Sequence, residues 1–280
     1  MKYLVPFTLL TMTPLASAVV VGIDNFDYPN GDIGGQAGGT GFNYDNFDGA
    51  VTASASNWNS LDFGGGAQNV AGGALTTLGG GGLREYNGPI EGAGDPSNDS
   101  QDDHERSGAA RGAGQVFYRF DMTRSAGAEW GGVSSMDFGA ERLFFGVPGA
   151  DFANDNAGLE ISGGGGTALT GINLVDGQTY TMVAAIDFDN GLVGLFVNPT
   201  GFSDFWNPAD GSNSADATLA YTGTNWSTGV RLASGGSDVT TWDNLTVALN
   251  DPNDVRLSVP EPAAGLLGGL AGLLLLRRRR

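Results

Sequence analysis

Residues Val116, Tyr118, Phe120 and Met122 alternate with Gln115, Arg119, Asp121 and Thr123. A period of two is the pattern of a strand with one buried face. The same alternation returns at Tyr180, Met182, Ala184, Ile186 and Phe188, followed by Asn190-Gly191 and a return run from Leu192 to Val197. Asn-Gly between two such runs predicts a hairpin with a type I′ turn, because both central positions need positive φ. Pro199 ends the return run. Shorter apolar runs predict strands at Val19–Phe26, Val51–Ser56, Gly73–Leu78, Arg142–Val147, Ala157–Ser162, Ala168–Leu174, Ala217–Tyr221, Gly229–Ala233 and Thr240–Leu249. Turn signals recur about every dozen residues, and no segment has a helical apolar stripe. That spacing predicts an all-β fold, a two-sheet antiparallel sandwich. Residues 84–114 break the pattern with Gly, Asp, Ser, Asn and Arg, and predict a long polar loop inside the domain.

The two ends read differently. Lys2, the apolar run Leu4–Leu15 and the small residues Ala16-Ser17-Ala18 have the form of a secretory signal peptide over residues 1–18, cleaved after Ala18. The other end runs Val259-Pro260-Glu261-Pro262, then only Ala, Gly and Leu from Ala263 to Leu276, then Arg277, Arg278, Arg279 and Arg280. Four arginines after an uncharged apolar run predict a short C-terminal membrane helix with its charges left in the cytoplasm. Fourteen apolar residues fall short of the ~20 that cross a bilayer as a helix, which suits transient insertion. This tail (residues 259–280) resembles the PEP-CTERM sorting signal of exported bacterial proteins. The resemblance implies recognition by an exosortase-type membrane enzyme, removal of the tail, and delivery to the cell surface, envelope or extracellular polysaccharide matrix. An ordinary membrane anchor is the other reading.

Charge changes the picture next. Without its two ends the chain keeps eight basic residues, all arginine, against thirty acidic ones, for a net charge near −22. Such a surface repels nucleic acid and attracts cations. The forty-eight glycines fit a turn-rich sandwich, and the absence of cysteine leaves it without disulfides. About 240 residues, 19–258, are long enough to build a core as one domain.

Within that domain, the blocks Phe26-Asp27-Tyr28-Pro29, Glu141–Gly146, Leu195–Pro199, Arg231–Gly236 and Trp242–Leu245 follow in order. The series resembles the concanavalin A-like (LamG-like) jelly-roll of secreted PEP-CTERM proteins. It implies that the first and last strands lie side by side, Val20–Phe26 against Leu245–Leu249.

Candidate chemistry is sparse. A laminarinase-type hydrolase needs E-x-D-x-E, which sets carboxylates on one face of a strand. None of Glu85, Glu91, Glu105, Glu129, Glu141 and Glu160 begins that motif. A Ser-His-Asp hydrolase would depend on His104, the single histidine, and there is no G-x-S-x-G. The expectation is therefore a non-catalytic protein, with a glycan-acting hydrolase built from an unrecognised carboxylate pair as the alternative. For Ca²⁺, which prefers clustered oxygens, Asp204 and Asp210 are the candidates. Asp187, Asp189 and Gly191 open like a calcium loop but lack its later ligands, and read better as a hairpin turn. Stacking of a sugar ring needs an exposed aromatic with polar neighbours. Of Trp58, Trp130, Trp206, Trp226 and Trp242, the first choice is Trp206 with Asn207, and Trp242 is expected to pack. These signals predict an exported carbohydrate-binding or structural protein with extracellular polysaccharide as its partner.

Overall fold

The computed structural model describes residues 19–39, 42, 57–64, 68–91, 115–137, 139–149, 153, 155–188, 190–199, 215–223, 226–236 and 239–249. Both sequence ends, and the candidates Trp206, Asn207, Asp204 and Asp210, lie outside these residues.

Strands β1 (Val19–Asp24), β2 (Gly31–Asp32), β3 (Asn59–Asp62), β4 (Asn69–Ala71), β5 (Ala74–Thr77) and β6 (Gly80–Glu91) form the first part of the chain. Then come β7 (Gln115–Arg124), β8 (Gly131–Asp137), β9 (Ala140–Val147), β10 (Asn156–Ile161) and β11 (Gly166–Asn173). The series closes with β12 (Thr179–Asp187), β13 (Leu192–Val197), β14 (Ala217–Ala220), β15 (Trp226–Ser234) and β16 (Thr240–Leu249). One sheet has the order β14-β13-β12-β7-β16-β5-β4-β2, with β1 also on β16. The second has the order β11-β10-β9-β8-β15-β6-β3. The two antiparallel sheets pack as a jelly-roll sandwich. The first and last strands pair as the resemblance implied, with Val20 opposite Ala248 and Asp24 opposite Leu245.

Alternation explains the core. Val116, Tyr118, Phe120 and Met122 of β7, Tyr180 to Ile186 by twos in β12, and Leu143, Phe145 and Val147 of β9 all enter it. Polar bridges tie the sheets together across this apolar layer. The Tyr118 hydroxyl lies 2.7 Å from Ser227 Oγ and 3.1 Å from Ser135 Oγ. Trp242 Nε1 donates to Thr77 Oγ1, which lies 2.7 Å from Ser234 Oγ. Asp24 of β1 accepts from Arg84 of β6 and from Trp58 Nε1, and both ion-pair partners are 1% exposed.

Four expectations need correction. The predicted loop 84–114 begins as strand, since β6 extends to Glu91 and Arg84 turns inward to meet Asp24. Residues 92–114 of that segment lie outside the described residues. The hairpin turn is also different. Asp187 pairs with Leu192, so four residues close it in place of two, and Gly191 has φ +60°. The buried Asp187 carboxylate holds the loop by accepting from the Asn190 backbone N–H at 2.8 Å and from Gln115 at 2.7 Å. These contacts make Asp187 a turn residue. Next, β12 is buried on both faces: Val183 and Ala185 form a second cluster with Phe117, Phe196 and Ala248. Finally β8 gave no strand signal, because Gly131, Gly132, Ser134 and Ser135 fill a strand whose every residue is buried.

Candidate functional site

The outer face of the second sheet gathers the aromatic and charged side chains that the sequence left scattered. Strand pairing sets a row across it: Leu83 opposite Arg231, Arg231 opposite Ser134, Ser134 opposite Phe144, and Phe144 opposite Glu160. A parallel row runs Gly81, Ala233, Gly132, Gly146 and Gly158. Four strand-to-strand steps of ~4.8 Å make that row ~19 Å long. With so little side chain in it, neighbouring rings can lie against the sheet. A Cβ at Gly132 would stand 2.5 Å from Phe144 Cζ, and one at Gly235 would stand 2.0 Å from Trp130 Nε1.

Phe63, Trp130 and Phe144 thus form a continuous aromatic ridge. Ring centres are 6.2 Å apart for Phe63–Trp130 and 6.0 Å for Trp130–Phe144. Phe63 is 52% exposed, whereas Phe144 is buried beneath the edge of Trp130. The backbone around them is fixed. Phe63 N–H donates to the Gly79 carbonyl at 2.9 Å, and Gly235 N–H to the Trp130 carbonyl at 2.8 Å. Arg124, 3% exposed, donates to the carbonyls of Ala128 and Glu129 and pairs with Asp155, which anchors the turn leading into Trp130.

Two hollows flank the Phe63–Trp130 pair. One, of about 380 Å³, is lined by Phe63, Trp130, Phe144, Glu141, Glu160 and Arg231. The other, of about 510 Å³, is lined by Phe63, Trp130, Leu78 and the glycines 64, 79, 235 and 236. In the first hollow Glu141 is committed on both oxygens. Its Oε2 accepts from Arg231 and from Ser134 Oγ, and its Oε1 accepts from Ser162 Oγ at 2.8 Å. Burial lowers the Arg231 pKa from its ordinary value, yet a guanidinium stays charged at neutral pH. Its Nε is buried without a hydrogen-bond partner among the described residues.

Of the tryptophans weighed from sequence, Trp58 and Trp242 are wholly buried core residues, while Trp130 stands on the groove. Phe63 and Phe144 carried no signal of their own, since a phenylalanine beside a strand reads as core. Only the register of β8, β9 and β15 brings Arg231, Glu141 and Phe144 together. No group of three metal-binding side chains occurs among the described residues.

No family model matches the chain, and no curated protein matches it. Solved structures do resemble it. A sialidase is 11% identical with TM-score 0.44, over 72% of this chain and 18% of its own. The binding domain of a botulinum neurotoxin in complex with SialylT is 8% identical, TM-score 0.44, over 81% of this chain and 47% of its own. A winged bean acidic lectin complexed with methyl-α-D-galactose is 10% identical, TM-score 0.42, over 69% and 92%. The chain spans less than half the length of the first two.

Proposed function

We propose that this is an exported, non-catalytic carbohydrate-binding protein, delivered by its C-terminal tail to the cell envelope or an extracellular polysaccharide matrix. The observation that carries the binding reading is the aromatic ridge of Phe63 and Trp130 beside the Arg231–Glu141 pair. Apolar faces with a few convergent polar groups are the makeup of small-molecule sites. A sugar ring offers an apolar face for stacking and hydroxyls for the guanidinium and carboxylates. The export reading rests on the leader ending at Ala16 and Ala18 and on Val259–Pro262 with Arg277–Arg280. An exosortase-type enzyme is the partner that tail suggests.

Binding is favoured over hydrolysis because both Glu141 oxygens already accept from protein side chains, one of them the Arg231 guanidinium. A glycan-acting hydrolase remains the second reading for one reason: Glu141 and Glu160 line the same hollow. The decisive experiment is a glycan array on the purified chain and its Trp130→Ala variant, with reducing-sugar release measured on every glycan retained. Retention lost in the variant, without sugar release, supports binding. Sugar release abolished by Glu160→Gln would establish the hydrolase instead.

A further inference from the structure

The two hollows share Phe63 and Trp130 and differ in everything else. One presents Arg231, Glu141 and Glu160; the other is lined by glycines and Leu78. We infer that the ligand is an uncharged glycan chain, bound within its length and straddling the Phe63–Trp130 pair. This rests on the carbohydrate reading above and narrows it to a class of ligand.

The length follows from the two lobes. A single sugar ring could fill one hollow, but it would leave the other side of the aromatic pair in water. A chain crossing the pair covers Phe63, whose ring is half exposed, and enters both hollows. The charged lobe can then read hydroxyls. The described residues that line the glycine lobe include no charged side chain, and this lobe accepts the next unit by shape and backbone contact.

The charge class follows from the ionic balance. Two carboxylates and one guanidinium line the charged lobe, and that guanidinium already pairs with Glu141. A uronate would meet Glu160 with no uncommitted cation among the described lining residues to receive it, inside a domain whose net charge is near −22. Desolvating a like charge there is unfavourable. Hydroxyls have no such penalty, and each can donate to Glu160 or accept from Arg231.

Affinity electrophoresis separates the possibilities. The purified chain is run through gels containing barley β-glucan, galactomannan or xylan, and through gels containing alginate or polygalacturonate. Retardation by at least one neutral polymer and by neither polyuronate is expected. Phe63→Ala and Trp130→Ala should each weaken it tenfold or more. Phe63 is half exposed, so its truncation should leave the fold intact, and circular dichroism checks this. Competition with oligosaccharides of the retarding polymer should strengthen at least tenfold from disaccharide to hexasaccharide. Equal competition by disaccharide and hexasaccharide, or stronger retardation by a polyuronate, would overturn the inference while leaving carbohydrate binding intact. No retardation by any of the five polymers would overturn both.

Discussion

The indole of Trp130 lies across Gly235 so closely that a Cβ on Gly235 would sit 2.0 Å from Nε1. The φ of Gly235 is not in the left-handed region, so the backbone itself could accept alanine. The missing side chain is what sets Trp130 down beside Phe63. Gly235→Ala should therefore move the indole, and it also adds a methyl group to the wall of the second hollow. The expected result is a loss of glycan binding of more than about 1 kcal/mol, the scale of an interface anchor, with a shift in tryptophan emission. Unchanged binding would show that Trp130 is not the anchor.

The Asp24–Arg84 ion pair is buried on both sides. Both side chains are 1% exposed, and Asp24 also accepts from Trp58 Nε1 and the Phe26 N–H. Asp24→Ala removes this carboxylate from the buried guanidinium. Breaking such a pair costs about 3–5 kcal/mol, which urea denaturation would measure. A cost near zero would mean that other groups compensate the Arg84 charge.

Asp243 makes stability depend on pH. Burial raises its pKa, and repulsion from Asp121 and Asp27 adds to this against the Asn244 N–H bond and Arg119. A raised folded-state pKa means the contribution favours folding below the unfolded carboxylate pKa, near 4, and is lost as pH rises through the folded one. Asp243→Asn should thus raise the melting temperature at pH 7 and lose that advantage as pH falls towards 3. An equal gain at both pH values would assign the effect to packing.

Both faces of β12 should matter. Ile186, fully buried in the main core, should cost about 2–5 kcal/mol as Ile186→Ala. Val183→Ala removes two methyl equivalents from the second cluster, about 1.6 kcal/mol by burial alone. A value below ~0.3 kcal/mol for Val183 would show that the outer cluster contributes little. Gly191→Val combines φ +60° with a contact of 2.7 Å to the Tyr221 carbonyl, so about 1–3 kcal/mol is expected from denaturation.

Sorting has its own test. Replacing Pro260 and Glu261 should leave the chain in the cytoplasmic membrane with its tail uncut. Mass spectrometry that finds Arg277–Arg280 still attached to wild-type protein at the cell surface would make the tail a plain anchor.

The sequence by itself determined the strands whose pattern is local. In β7 and β12 large apolar residues alternate along the segment, and Thr240–Leu249 coincides with β16 end to end. The positive φ of Gly191 was also legible, because glycine after asparagine at a reversal leaves little choice. Periodicity could not supply β8, since a strand covered on both faces needs no alternation and this one is largely glycine and serine. Nor could it show that Arg84 is a core residue, because its partner Asp24 lies sixty positions away. The groove belongs wholly to the tertiary structure. Phe63, Trp130, Phe144 and Arg231 come from four separate segments, and each alone reads as an ordinary strand or loop residue. Their meeting depends on which strand pairs with which, and on glycines that let the rings lie on the sheet. Register and close packing are set by the whole chain at once, and no local stretch of sequence contains them.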